Sequence, residues 1–321
     1  MNCRVLAGLA VATLAPTAMC SFELMYIPSP NTDRVYRYDP IARVMLGGID
    51  IPSPTGVFHR SGTHGLVRGG SFNYRVDLAN GINENTVNTT NFNSITDDGA
   101  NVFNMNGATA FSMATLGGSV GSTGLATTRS MFSGYRLSNG NMVGFADDAT
   151  GVRALLFTSA GALLDDNLVL AITRSASSGM VVTTTNTGTR IARVVVRDSS
   201  GSQNILSISL NSLLNSFVTT SVTAVNSFTM ASTSVMSLAV AHNGFYAIGA
   251  DGSSPTTTTR ILHFNNSNFG GQTLGWTVGI DSRTISNNFT VANVVAPEPS
   301  TMFALGLGVA ALLNRRRQKP L

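Results

Sequence analysis

Short apolar segments recur along residues 22–295, usually opened by a turn residue: 24–27, 65–67, 101–103, 141–145, 179–182 and 244–248. A second kind of segment follows them, alternating apolar and polar residues and often led by arginine. Examples are 34–40 (Arg-Val-Tyr-Arg-Tyr-Asp-Pro), 72–77, 153–157, 193–198 and 260–265. Period-two alternation puts every other side chain on one face, as a half-buried strand requires. The region is rich in Thr, Ser, Asn, Gly and Val, which favour strands and tight turns over helix. The first segments start near residues 24, 65, 101, 141 and 180, about 36–41 residues apart. That spacing is the length of one four-stranded propeller blade.

The most complete unit is 235–278. Residues 235–240 would be its inner strand, 244–248 the second, 260–264 the third and 272–278 the outer. Asp251-Gly252-Ser253 helps turn the second strand, and residues 265–271 turn the third. The first unit lacks an inner strand, and residues 289–295 are placed to return and supply it, closing a ring. Residues 205–234 break the spacing and contain no glycine or proline. They read as a degenerate seventh blade or as a long hairpin inserted into a six-bladed ring.

This rhythm resembles the blades of NHL/YVTN-type β-propellers: strand, arginine, apolar-x-apolar, then aspartate and glycine. The resemblance implies an all-β, six- or seven-bladed propeller over residues 21–295. A β-sandwich, two small β-domains or a short β-solenoid would use the same Ser/Thr-rich strands and Gly turns. The recurring arginines Arg34, Arg153, Arg193 and Arg260 read as equivalent structural positions.

Both ends depart from the strand pattern. At the C-terminus, Pro297-Glu298-Pro299 precedes an apolar run at 302–313 and the cluster Arg315, Arg316 and Arg317. Two prolines so close block helix and sheet pairing, so residues 297–299 must be extended and accessible. The run is about 12 residues, short of the ~20 that span a bilayer, and the arginines would hold its end in the cytoplasm. Order and position resemble the PEP-CTERM sorting signal of bacterial envelope proteins. That resemblance implies export, transient tethering through a short hydrophobic C-terminal helix, and processing by an exosortase. In this reading residues 296–321 are the signal, Pro297, Glu298 and Pro299 are recognised, and the three arginines set topology. An ordinary membrane anchor is the plainer alternative.

The N-terminus agrees with export. Arg4 supplies a positive start, 5–14 an apolar stretch, and Ala18-Met19-Cys20 a small-x-small site, so cleavage falls between Cys20 and Ser21. A lipid-modified Cys20 is disfavoured by the large Met19 before it. Cys3 and Cys20 are the only cysteines, so residues 21–321 hold no disulfide.

Charge belongs largely to these ends. Residues 21–295 carry fifteen arginines, fifteen acids and no lysine, which leaves no electrostatic footprint for nucleic acid. Candidate chemistry is sparse. Gly117-Gly118-Ser119-Val120-Gly121 has the spacing of a nucleophile elbow but no helix-forming continuation. His59 and His64 share a turn-rich stretch without a third ligand at metal spacing. Asp97-Asp98, Asp147-Asp148 and Asp165-Asp166 lack the alternating oxygens of a calcium loop and suit turns instead. No cofactor is expected. Trp276 and the other aromatics sit mainly in apolar strands, as core. The expectation is therefore a non-catalytic binding or structural module of the envelope or matrix. By family resemblance, exopolysaccharide is a plausible partner. The rival is a propeller enzyme, a lyase or hydrolase of a matrix polymer, with an arginine, a carboxylate and a histidine or tyrosine gathered at one channel mouth.

Overall fold

The computed structural model describes residues 19–59, 63–90, 92–96, 101–114, 118–225, 235–241, 244–250, 258–264, 272–280 and 289–297. Its strands form six sheets, the blades of a six-bladed β-propeller. Blade 1 contains β1 (Met19–Ser29), β2 (Arg34–Asp39) and β3 (Val44–Asp50). Blade 2 is β4 (Pro54–Phe58), β5 (His64–Gly69), β6 (Phe72–Asp77) and β7 (Ile82–Asn88). Blade 3 is β8 (Ser94–Ile95), β9 (Asn101–Asn106), β10 (Thr109–Ala114) and β11 (Gly121–Gly124). Blade 4 is β12 (Ser130–Arg136), β13 (Met142–Asp148), β14 (Gly151–Phe157) and β15 (Leu163–Leu170).

In blade 5 the inner position is shared by β16 (Arg174–Ser177) and β17 (Val181–Thr184). Both pair with β18 (Arg190–Asp198), which is followed by β19 (Gln203–Leu210) and β20 (Phe217–Val225). Blade 6 is β21 (Ser237–Ala241), β22 (Gly244–Ala250), β23 (Thr259–Phe264) and β24 (Gln272–Val278). The last strand, β25 (Thr290–Pro297), returns to lie beside β1 and completes blade 1. The chain divides into two compact units, 24–292 and the end segments 1–23 with 293–321.

Strand character follows from position in the blade. Middle strands are buried on both faces between neighbouring blades, so β14 is apolar almost throughout and buried except at Arg153. Outer strands face solvent: β7, with sequence Ile-Asn-Glu-Asn-Thr-Val-Asn, is exposed over most of its length. The cores lie between blades. Phe145, Val152 and Leu156 of blade 4 meet Val194, Leu206 and Ile208 of blade 5, while Met25 and Ile27 of blade 1 meet Ile248 and Ile261 of blade 6.

Buried hydrogen bonds pin neighbouring blades together. Tyr26 Oη donates to the Leu78 carbonyl at 2.7 Å, and burial pushes its phenol up to about 12. Trp276 Nε1 donates to Tyr38 Oη at 2.8 Å, linking blades 6 and 1. Gly161, at φ +88°, sits where any side chain would meet the Gly124 carbonyl. Its own carbonyl accepts from Ala126 N at 2.8 Å, joining blades 4 and 3.

Antiparallel strands place the turns alternately on two faces. Turns joining first to second and third to fourth strands share the face where β1 begins, the entry face. Turns joining second to third strands, and connections between blades, lie on the far face.

Two sequence expectations change. Residues 205–225 are neither a seventh blade nor an insertion, because β19 and β20 are the third and outer strands of blade 5. The spacing failed because the 179–182 segment is an inner strand there, whereas its counterparts elsewhere are second strands. Arg193 consequently lies on a second strand and is fully buried, whereas Arg34, Arg153 and Arg260 lie on third strands. The 235–278 unit and the returning strand appear in the expected roles. Among the described residues no helix is long and apolar enough to cross a membrane, and 302–313 lies outside them.

Candidate functional site

Strand β25 carries the chain directly into the sorting element, since its last residue is Pro297. The strand reaches two residues further than expected, to a proline at its end, where a missing N–H costs no internal ladder bond. Thr290 Oγ1 donates to the His59 carbonyl at 3.2 Å, and Phe289 is buried among residues of blades 1 and 6. Cys20 and Ser21 lie on the backbone of β1, so cleavage between them leaves the strand from Ser21 onward. Glu298, Pro299, Arg315, Arg316 and Arg317 lie outside the described residues.

The densest charge cluster is on the far face of blade 4. Arg153 of β14, Asp166 of β15 and Asp148 at the end of β13 project from one side of the sheet, by the strand register. Arg129, just before β12, completes an alternating quartet. Arg129 Nε lies 3.0 Å from Asp148 Oδ2, and its Nη1 lies 2.6 Å from Asp166 Oδ2. Arg153 Nε lies 2.7 Å from Asp166 Oδ1 and 3.5 Å from Asp148 Oδ2. Thr150 donates its hydroxyl (2.6 Å) and its backbone N–H (2.7 Å) to Asp148 Oδ1. Those two bonds, followed by Arg129 and Arg153, hold the Asp148 carboxyl down at about 2.

On the other side of the same sheet, Asp147 reaches blade 5. Arg174 Nε donates to its Oδ2 at 2.9 Å and Oδ1 at 3.1 Å, while the guanidinium lies 3.9 Å from the Phe132 ring centroid. The pair is a clasp between blades 4 and 5, with a cation–π contact beneath it. A cavity of about 380 Å³ beside it is lined by Asp147, Asp148, Thr150, Ile172 and Arg174. These carboxylates are matched to arginines, and Asp148 is far too acidic for a general base near neutral pH.

The acid dependence of this cluster has a definite sign. An unfolded aspartate titrates near ~3.9, and folded Asp148 at about 2. Its contribution is present above the unfolded value and is lost as pH falls towards 2. Asp148→Asn should therefore lower the urea midpoint at pH 6, and the gap to wild type should close as pH drops from 4 to 2.5. A gap independent of pH would assign the loss to the turn alone.

The other sequence candidates separate. Ser119 is exposed and followed by strand β11, not helix, so it is no nucleophile elbow; Gly117 lies outside the described residues. His59 is buried after β4, while His64 opens β5 and contacts Glu84 at 3.0 Å. Arg75 Nε lies 2.6 Å from the other Glu84 oxygen. Asp165 accepts the Phe217 N–H at 2.7 Å, a further link between blades 4 and 5. Asp97 and Asp98 lie outside the described residues. Among the described residues, no group of three His, Cys, Asp or Glu could hold a metal ion. Sequence reasoning passed over Arg129 and Arg174. Their spacing from Asp148 and Asp147, 19 and 27 residues, carries no local signal.

The PEP-CTERM protein-sorting motif matches residues 295–318. It indicates an exported chain sorted at the membrane through processing by an exosortase. In fold, the chain is similar to a Bacteroides caccae protein of unknown function, with 13% identity over 85% of this chain and 99% of that chain, at a TM-score of 0.57. A Lactobacillus plantarum protein is similar at 10% identity, over 86% of this chain and 100% of that one, with a TM-score of 0.51. Likeness at such identity shows the fold alone. No curated protein sequence matches the chain.

Proposed function

We propose that the propeller is a non-catalytic binding or structural module of the cell envelope or extracellular matrix, associated there with exopolysaccharide. The observation that supports this reading is the use of charge on the far face. Arg129, Arg153, Arg174, Asp147, Asp148 and Asp166 bind one another and hold strands and blades in place. The exposed outer strands are rich in hydroxyl and amide groups, such as Thr219, Thr220, Ser221 and Thr223 of β20, suited to hydrated, uncharged polymers.

A propeller enzyme acting on a matrix polymer is the second reading. His64, Glu84 and Arg75 supply the residue types it would need. They stand on the second, fourth and third strands of blade 2, whereas inner strands line a propeller's channel. The test is to incubate the purified protein with matrix polysaccharide from its host. The proposal expects the protein to co-sediment with polymer of unchanged chain length. New reducing or unsaturated ends that vanish in Glu84→Gln would replace it with the enzymatic reading.

A further inference from the structure

The cavity beside the Arg174–Asp147 clasp is lined by carboxylates already matched to arginines. A second cavity, on the far face of blade 2, has a different lining. Its walls include Arg68, Ser71, Phe72, Asn73, Thr89 and Thr90, with no acid among the lining residues. Its volume is about 320 Å³, at the lower end of the ~300–1,000 Å³ usual for small-ligand sites.

Hydrogen bonds fix these walls. Gly70 and Ser71 form the turn between β5 and β6. Gly70 takes φ +50°, and its N–H donates to the Ser53 carbonyl at 3.0 Å. Asn73 Nδ2 donates to Asn88 Oδ1 at 2.7 Å and to the Thr90 carbonyl at 2.5 Å. The Thr90 N–H donates to the same Asn88 oxygen at 3.1 Å. Strand register places Arg68, Asn73 and Asn88 on one side of the sheet. A site whose walls are already ordered loses little freedom when a ligand enters.

The lining has the chemistry for hydroxyl groups. Arg68 is half-buried, with burial pulling its guanidinium below the usual arginine value. Its N–H groups form a rigid fork that can donate to two neighbouring oxygens. The hydroxyls of Ser71, Thr89 and Thr90 can donate or accept. Asn73 is 1% exposed, yet its Oδ1 receives no hydrogen bond from the described residues. Buried acceptors are ordinarily paired, and a ligand hydroxyl is a suitable donor. Phe72 is 45% exposed and adds an apolar surface to this polar lining. A sugar ring matches both features, with hydroxyls around its edge and C–H groups on its faces.

We propose that this cavity binds a neutral sugar unit of a polysaccharide, with Arg68, Thr89 and Thr90 hydrogen-bonded to its hydroxyls and Phe72 against its C–H face. Hydroxyl and amide groups outnumber the single charge of the lining, so hydrogen bonds carry the recognition. The inference rests on the polysaccharide reading above and gives it a place in the fold.

The test is co-sedimentation of the purified full-length protein with matrix polysaccharide from its host. Phe72→Ala and Thr89→Trp, both at exposed positions, are compared with wild type and with Thr220→Ala on β20. Each cavity variant should bind about tenfold more weakly, as loss of a central contact does, at an unchanged urea midpoint. Thr220→Ala should bind as wild type does. Wild-type binding should persist at ~0.5 M salt, where attraction between charges is screened. Should one cavity variant lose its cooperative unfolding transition, the other decides. Wild-type affinity in a folded cavity variant overturns the site and spares the polysaccharide reading. Binding that salt removes overturns it as well, because the contact is then ionic. Failure of the wild type to co-sediment removes that reading and this inference with it.

Discussion

Phe289→Ala is expected to cost the propeller about 3–5 kcal/mol, the usual range for emptying a buried aromatic site. Phe289 is 2% exposed and stands in one core with Met25, Ile27, Tyr38, Ile248 and Ile261, so it joins the first blade to the sixth. It also leads into β25, which gives β1 its second neighbour in the sheet. Ending the chain after Ile280 should do more than add this loss. Without β25, blade 1 keeps an unpaired strand edge at the inner position, a place that ordinarily has a partner. Urea denaturation followed by circular dichroism is expected to show a large fall in midpoint for Phe289→Ala and no cooperative transition for the truncation. Leu168→Ala, an exposed outer-strand change, should stay within about 0.5 kcal/mol of wild type. A cooperative transition in the truncated chain would mean that the ring does not depend on its returning strand.

Replacing Pro297, Glu298 and Pro299 by alanine should abolish the processed form in the native host. The full-length precursor would then accumulate in the membrane fraction. The expected separation from stability is the informative part. Pro297 is the terminal residue of β25, so alanine there adds a backbone donor at a strand end. The purified variant should keep the wild-type urea midpoint while its processing fails. Processing that continues at the normal rate would show that the triplet is not the recognised element.

The parts of the fold legible in the sequence are those where burial is two-sided. Middle strands such as β13, β14, β22 and β23 are continuous apolar runs because blades bury both their faces. Outer strands such as β7 and β20 face solvent and read as polar linker. Blade 5 was misaligned by one strand for a local reason: its inner position is broken between β16 and β17, and only the second piece reads as apolar. The sorting motif was legible because its signal is linear, a proline pair, an apolar run and arginines in order. The charge quartet was not, because pairing of the strands of blade 4 brings together Arg129, just before β12, Asp148, Arg153 and Asp166, which no local spacing links.

The central claim is that a closed propeller is exported and then released from, or transferred beyond, the membrane by processing at its sorting motif. Intact mass of the protein from its native host, taken from both envelope and medium fractions, tests it most directly. The expected mass lacks the residues before Ser21 and everything beyond about residue 299, with any added mass reporting an attached anchor or glycan. A mature chain that still carries Met302 to Leu321 would contradict the account and make the tail a plain membrane anchor.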